Sequence, residues 1–232
     1  HKNLIDYITI GTPGNAVDFG DLNYDPHGHA GTSDGSRGVV AGGYSTVLST
    51  HANNIDYITI ATPGGATDFG DLTAARAYLG CTSDGSRAVC CEGGASSYYD
   101  IMDYITIATP GNATDFGNMV SVRGSNVGTS DGSRGISAGG ATGPSYTDLI
   151  DYFAIGTLGN AFDFGNLTTT RLVPSACSDG SRGLIAAGSV PPHVKTIDYI
   201  TISTPGNAAD FGDLTAGRYY GASTSDGSRG VS

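Results

Sequence analysis

Apolar and polar residues follow one pattern that returns five times along the chain. Each copy contains the segment Ile-Asp-Tyr-Ile-Thr-Ile or a close variant. In an extended chain Ile, Tyr and Thr face one side of this segment, and Asp and two Ile face the other. Apolar residues on both faces are typical of a strand packed between two other sheets. The copies begin at Ile5, Ile55, Met102, Ile150 and Ile197.

Turn signals separate these strands. Ser-Asp-Gly-Ser-Arg recurs at intervals of 47 to 50 residues, and Asp-Gly predicts a tight hairpin whose two central residues have positive φ. A Pro-Gly-Asn turn or a close variant follows the Ile-Asp-Tyr strand, and a strand containing Asp-Phe-Gly comes next. The Ser-Asp-Gly-Ser-Arg copies begin at Ser33, Ser83, Ser130, Ser178 and Ser225, and the Asp-Phe-Gly copies at Asp18, Asp68, Asp115, Asp163 and Asp210.

Four short strands in a repeat of this length predict a β-propeller blade, because blades span roughly 40–50 residues. We therefore expect residues 1–232 to form one all-β domain, a five-bladed β-propeller of four-stranded antiparallel blades. The sequence begins in a third strand and ends in a second strand at Val231 and Ser232. The N- and C-terminal strands are thus expected to share one blade and close the ring. The alternative is an open β-solenoid, for which the sequence offers no capping repeats.

Repeated aromatic and charged residues are interpreted as structural. Each Phe of Asp-Phe-Gly is expected to pack between blades and to bury about 150–250 Å². All nine Arg residues occupy two repeat positions, either in Ser-Asp-Gly-Ser-Arg or after the Asp-Phe-Gly strand. If these Arg residues form exposed ion pairs with Asp, each pair would add little to the free energy of unfolding. The second set contains Arg76, Arg123, Arg171 and Arg218.

The repeat resembles the kelch type of β-propeller repeat, with Gly-Gly after the second strand, Tyr beside Asp in the third and an aromatic residue in the fourth. The kelch Trp is absent, and the Phe of Asp-Phe-Gly takes its place. Over nearly the whole chain the repeat is also similar to repeats in structural and tail-associated proteins of tailed phages, particularly cyanophage-like ones. This resemblance implies a virion or extracellular location and contacts with other virion subunits.

Composition narrows the classes of function. The net charge of −11 opposes binding to phosphate backbones and anionic lipid, so we expect no nucleic-acid partner. No apolar run is long enough for membrane insertion, and the sequence contains no secretory signal pattern. The four cysteines have no repeat spacing and no Cys-x-x-Cys motif, so they are interpreted as isolated thiols. They are Cys81, Cys90, Cys91 and Cys177.

Residues outside the repeat pattern concentrate in two of the four loops of each repeat. In a four-stranded meander these two loops lie on one face, here called the varied face. The two turns whose sequence repeats, Ser-Asp-Gly-Ser-Arg and Pro-Gly-Asn, lie on the opposite face, here called the uniform face. Tyr combines contact area with a polar tip, which suits a sugar ring with its apolar face and hydroxylated rim. The predicted ligand-binding residues on the varied face are Tyr24, His27, His29, Tyr44, Tyr78, Tyr98, Tyr99, Tyr146, His193, Tyr219 and Tyr220.

This set predicts a non-enzymatic, lectin-like module that recognises a cell-surface glycan or receptor as part of a phage tail or virion. The same Tyr residues could instead cover loop backbones and fill gaps between blades. The alternative is therefore a structural or scaffolding subunit of a virion or filament, without a small-molecule ligand.

Metal and catalytic chemistry receive little support from the sequence. His27 and His29 lie near Asp25 and could contribute to a metal site, but no further ligands occur at a known spacing. A glycosidase requires two carboxylates across a cleft. No motif links the carboxylates of the varied loops, which are Asp25, Glu92, Asp100 and Asp148. We therefore predict no metal, no cofactor and no catalytic residue.

Overall fold

The computed structural model describes residues 3–190 and 193–231, and these residues form an all-β fold of 23 strands with antiparallel pairing. Among them there is no helix of the length and apolarity needed to cross a membrane. Four sheets each contain four strands in sequence order, numbered sheets 1 to 4. Each full sheet corresponds to one predicted repeat unit.

The strands of sheets 1 and 2 have these bounds. Sheet 1 contains β4 (Ala30–Ser33), β5 (Arg37–Ala41), β8 (Asn54–Thr59) and β9 (Thr67–Asp71). Sheet 2 contains β10 (Gly80–Ser83), β11 (Arg87–Cys91), β12 (Tyr99–Thr106) and β13 (Thr114–Arg123).

The strands of sheets 3 and 4 repeat this order. Sheet 3 contains β14 (Val127–Ser130), β15 (Arg134–Ala138), β16 (Leu149–Ala154) and β17 (Phe162–Asn166). Sheet 4 contains β18 (Ser175–Ser178), β19 (Arg182–Ala186), β20 (Thr196–Thr201) and β21 (Ala209–Asp213).

Seven further strands form three smaller sheets. The N-terminal sheet pairs β1 (Leu4–Tyr7) with β2 (Val17–Asp21), and the C-terminal hairpin pairs β22 (Thr224–Ser225) with β23 (Gly230–Val231). In the order of the repeat, β1 and β2 are a third and a fourth strand, whereas β22 and β23 are a first and a second strand. The third small sheet contains β3 (Pro26–His27), β6 (Tyr44–Ser45) and β7 (Thr50–His51).

The Ser-Asp-Gly-Ser-Arg hairpin is held by its Asp. The Asp34 carboxylate accepts hydrogen bonds from the backbone N–H groups of Ser36 and Arg37 at 2.8 and 2.6 Å. These bonds keep the pKa of Asp34 below its ordinary value. Gly35 has a φ of +88°, whereas Asp34 is not among the described residues with positive φ. The prediction of positive φ at both residues was therefore wrong, because the carboxylate, rather than a left-handed Asp, closes the turn.

The Arg of the same motif connects neighbouring sheets. The guanidinium of Arg37 lies 4.3 Å from the centre of the Tyr57 ring and donates a 2.7 Å hydrogen bond to the carbonyl of Ile107 in sheet 2. Arg87 and Arg134 repeat both contacts from sheets 2 and 3. First strands of successive sheets also contact one another, from β4 through β10, β14 and β18 to β22.

The Phe of Asp-Phe-Gly packs between sheets in four of the five copies. Phe69 is 3% exposed and joins a core cluster that includes residues of sheets 1 and 2. Beside it, a Cβ on Gly70 would lie 2.6 Å from the carbonyl of Gly111, so the close approach of the two backbones requires glycine. Phe211 is the exception at 52% exposed, and the prediction that it packs against a neighbour was wrong for the described residues.

The Arg residues after the Asp-Phe-Gly strand are buried, contrary to the prediction of exposed pairs. Arg76, Arg123 and Arg171 are each 0% exposed and bind an Asp of the next sheet. The ion pairs are Arg76–Asp103 at 2.8 Å, Arg123–Asp151 at 3.0 Å and Arg171–Asp198 at 2.9 Å. The sequence pattern showed the spacing of these residues but not that each Arg points between two sheets.

The two terminal sheets are not paired with each other among the described residues. The N-terminal sheet packs on sheet 1, where Ala66 N–H donates to the Asp21 carbonyl at 2.7 Å. The C-terminal hairpin instead contacts β18 of sheet 4. A cavity of about 410 Å³ lies between β1 and sheet 1, lined by residues that include Leu4, Val39 and Ile58.

One cysteine prediction was wrong. Cys81 and Cys90 are opposite each other on β10 and β11 and form a disulfide. Cys91 and Cys177 are free thiols. The pair was missed because a bridge between adjacent strands of a single repeat leaves no periodic cysteine spacing.

Candidate functional site

Small sheets fix the loops of the varied face. The segment leading into each full sheet pairs with the loop between the second and third strands of that sheet, as in β3–β6–β7. In the next two repeats the same contact is a set of single bridges. They are Ala77–Gly94, Gly94–Tyr98, Gly124–Ala141 and Ala141–Tyr146. The loops that hold most of the predicted site residues are thus ordered by backbone pairing.

Five residues at one repeat position line a common opening on the varied face. All five have left-handed backbone, with φ between 47° and 66°, and four of them are not glycine. Non-glycine residues in this conformation are uncommon and strained, and they are found at functional sites. They are Gly28, Tyr78, Ser125, Val173 and Tyr220.

Backbone hydrogen bonds connect members of this set. Tyr78 N–H donates to the Gly28 carbonyl at 2.6 Å, and Ser125 N–H donates to the Tyr78 carbonyl at 2.7 Å. Val173 N–H donates in the same way to the Ser125 carbonyl at 2.8 Å. The five residues line a depression of about 340 Å³, here called the axial depression. Its lining also includes His29, Leu79, Asn126, Pro174, Gly221 and Ala222.

The axial depression has a neutral, mixed lining. It contains two Tyr, a His and an Asn, and no Asp, Glu, Lys or Arg. Asn126 is 8% exposed, and its Nδ2 donates to Ser137 Oγ at 2.9 Å. Asn126 Oδ1 has no hydrogen-bond partner among the described residues. Such a surface offers apolar area and hydrogen bonds without a fixed charge.

A second depression, the lateral groove, lies beside the first and shares Tyr78 with it. Its volume is about 560 Å³, within the range of small-molecule sites. Loops of sheets 1, 2 and 3 contribute to it, and none of its lining residues is charged. The lining is His51, Tyr78, Gly94, Ala95, Ser96, Ser97, Tyr98, Val122, Thr142 and Gly143.

Other predicted residues gather in two aromatic clusters. His27 and His51 pack on Tyr44 with ring centres 5.4 and 5.0 Å away, and His27 also lies 5.7 Å from Tyr78. On the far side, His193 lies 4.5 Å from Tyr219, which contacts Tyr220 at 5.3 Å. The structure therefore brings together most, but not all, of the predicted set.

Three predicted residues lie outside both depressions and both clusters. The Tyr24 hydroxyl donates to the Gly42 carbonyl at 2.6 Å, and burial raises the pKa of this phenol. The Tyr99 backbone pairs with Arg123 on β13. Tyr146 is exposed beside Ala141. Tyr24 thus holds a loop in place, as the gap-filling interpretation of these Tyr residues expected.

Sequence reasoning missed a buried polar network beneath the axial depression. Glu92 Oε1 accepts from Arg123 Nε at 2.5 Å, and Glu92 Oε2 accepts from Ser137 Oγ at 2.8 Å. Burial raises the pKa of Glu92 to about 7. Asn126 connects this network to the depression through Ser137. The signal was the single Glu of the chain, which stands where the other repeats have Gly42, Gly139 and Ala187.

The described part of the chain offers no ready-made metal site. It contains no group of three or more His, Cys, Asp or Glu placed to hold a metal ion. Asp25, the possible third partner of His27 and His29, accepts hydrogen bonds from Ser45 and Thr46 at 2.5 and 2.9 Å. Its carboxylate therefore orders the β6–β7 loop.

Comparisons with known proteins give no identification. No family model matches the chain. No curated protein matches it either.

Proposed function

We propose that the chain is a kelch-like, five-bladed β-propeller whose varied face binds a cell-surface glycan or receptor. The observation that carries the proposal is the arrangement of five equivalent loop residues around one neutral, Tyr-containing depression. The resemblance to tailed-phage repeats supports a location of this binding module in a virion or tail.

Ring closure is supported by contacts that interior sheets make and terminal sheets lack. Ile107 is fully buried under the sheet that precedes its own, whereas the equivalent Ile10 is 95% exposed. Gly70 and Gly165 touch the turns of the next sheets, but Gly212 has no atom within 4 Å of its Cβ position. If β22–β23 joined β1–β2 in one blade, that blade would cover these surfaces and satisfy both β edges.

A cysteine pair tests this closure. In sheet 1, Val39 of the second strand lies opposite Tyr57 of the third strand, and the other full sheets have an equivalent pair. Closure would pair Val231 with Tyr7 in the same register. We expect Val231→Cys with Tyr7→Cys, in a Cys177→Ser background, to form an intramolecular disulfide under mild oxidation because paired strands bring Cβ atoms within bonding range. Non-reducing electrophoresis would then show a faster-migrating monomer.

Each single-cysteine variant is the control and should give no faster-migrating monomer. Cross-linked dimers and ladders would instead show that the terminal strands pair between copies. Such a result would favour the structural alternative, a virion or filament subunit, which the exposed Ile10 and Phe211 also support. Absence of any cross-link would contradict both forms of pairing.

The Cys81–Cys90 disulfide supports an extracellular or virion-surface location. Disulfides persist in oxidising environments and are rare in the cytosol. A receptor-binding module exposed outside the cell would meet such conditions.

The binding function is tested by substituting one face at a time. A variant with Tyr78, Tyr98, Tyr219 and Tyr220 changed to Ala is expected to lose at least tenfold in affinity for glycan arrays or host cells, because aromatic residues dominate binding energy. The matched control changes Ser36 and Ser86 to Ala on the uniform face, where both residues are exposed. Unaltered cell adsorption by the Tyr variant, together with an array without hits, would contradict the proposal.

A further inference from the structure

The lateral groove contains an aromatic ring that is supported on one side by backbone alone. A Cβ on Gly94 would lie 3.0 Å from the ring of Tyr98, and a Cβ on Gly124 would lie 2.7 Å from it. Both positions must therefore be glycine for the ring to occupy this place. The two glycines fix the orientation of the ring before any ligand arrives, which lowers the entropic cost of binding.

The same loop position in the other sheets has a different environment. Each of these loops ends with an equivalent backbone hydrogen bond, such as Tyr99 N–H to the Gly93 carbonyl or Thr147 N–H to the Gly140 carbonyl. The residue that precedes the donor therefore occupies the same loop position in all four sheets. Tyr146 lies beside Ala141, His51 pairs with Tyr44, and His193 stacks on Tyr219. Of the four, Tyr98 is the one whose ring lies against two glycines, Gly94 and Gly124. The aligned residues are His51, Tyr98, Tyr146 and His193.

The rest of the groove defines the polarity of a ligand. Ser96, Ser97 and Thr142 supply hydroxyl groups, and Val122 and Tyr78 supply apolar surface. The groove lining contains no Asp, Glu, Lys or Arg to pair with an ionic ligand, and burying an unpaired charge is costly. The net charge of −11 further repels sugars that carry carboxylates or sulfates.

We propose that the lateral groove binds a neutral hexose unit of a glycan, with the Tyr98 ring stacked on the apolar face of the sugar. The hydroxyl rim of the sugar would exchange hydrogen bonds with Ser96, Ser97 and Thr142. This inference rests on the proposed function and names the ligand class and the residues of one subsite.

Calorimetric titration with defined oligosaccharides tests the proposal. The probes are di- and trisaccharides of glucose, galactose, mannose and N-acetylglucosamine, each compared with an analogue carrying sialic or uronic acid. At least one neutral probe should bind, and Tyr98→Ala should weaken it at least tenfold, as expected for an aromatic anchor. Tyr98→Phe keeps the stacking face and should stay within about threefold of the wild type.

Two further variants keep the test informative if Tyr98→Ala does not fold. Tyr146→Ala changes the aligned residue outside the groove and should leave affinity unchanged. Ser97→Trp adds a bulky side chain at an exposed loop position in the groove lining and should abolish binding by filling the space. Thermal melting followed by circular dichroism confirms folding of each variant.

The outcomes separate this proposal from the proposed function. Binding confined to acidic probes would overturn the neutral subsite while leaving glycan recognition in place. Binding that survives Ser97→Trp but is lost in Tyr220→Ala would move the site to the axial depression. No saccharide binding, with cell adsorption that still depends on the varied-face Tyr residues, would overturn the subsite and leave a protein receptor. Loss of both would contradict the proposed function as well.

Discussion

Replacing Arg171 with Ala should lower the free energy of unfolding by about 3–5 kcal/mol, the range for removing one partner of a buried ion pair. Arg171 is 0% exposed and donates to Asp198 at 2.9 Å and to the Thr196 carbonyl at 3.1 Å. Its loss would leave the Asp198 carboxylate buried between two sheets with only the Thr168 donors, at 2.9 and 2.6 Å. Urea unfolding followed by circular dichroism measures the change.

The exposed pair Lys195–Asp213 is the matched control for Arg171. Its side chains are 59% and 48% exposed although the nitrogen and oxygen are 2.8 Å apart. Because solvent screens such a pair, Lys195→Ala should change stability little. Equal effects of the two substitutions would contradict the conclusion that burial between sheets makes the repeated Arg important.

The second large effect is a dependence of stability on pH that arises from Glu92. Burial raises the pKa of Glu92 from 4.5 to about 7, so the folded protein binds this proton more tightly than the unfolded chain. Between about pH 4.5 and 7 the unfolding free energy should therefore fall as pH rises, and the loss is complete above pH 7. At about 1.36 kcal/mol per pKa unit, this shift corresponds to about 3 kcal/mol.

Glu92→Gln isolates this contribution. The amide keeps the shape of the carboxyl group but does not titrate. As pH rises, the unfolding free energy of the wild type should therefore fall relative to that of the variant. His29, whose pKa is lowered chiefly by desolvation, titrates nearby and is common to both proteins. Asp151 shares Arg123, and burial raises its pKa too, which makes simultaneous ionisation of both acids unfavourable. Parallel stability curves for the two proteins would contradict the assignment.

The sequence predicted the repeats of this fold better than their junctions. Strand positions follow from Ile-Asp-Tyr and Asp-Phe-Gly because backbone pairing repeats with the residues that permit it. Burial of Arg76, Arg123 and Arg171 could not be read in the same way, since an exposed and a buried Arg have identical spacing. Likewise, Phe211 has the same motif as Phe164 but is 52% exposed, because the C-terminal hairpin beside sheet 4 contains two short strands and no four-stranded sheet covers the ring among the described residues.

The candidate site shows a similar division. Loop position alone selected Tyr78, Tyr98 and Tyr220, which line the two depressions. Tyr24 met the same criterion, yet its hydroxyl donates a hydrogen bond to the carbonyl of Gly42, in the loop that follows β5. What the sequence lacked was the direction of each side chain, which depends on left-handed residues and on glycines such as Gly94.

The main-chain connections between the left-handed residues that line the axial depression would let this surface change its side chains. Three main-chain hydrogen bonds join four of the five residues, so these connections do not involve the side chains that the residues carry. Gly, Tyr, Ser, Val and Tyr already occupy the five equivalent places. A combinatorial library at the four places that are not glycine would consequently vary the shape of the opening while the main-chain connections stay in place. Gly28 would be kept, because a Cβ there would lie 2.8 Å from the Tyr78 ring.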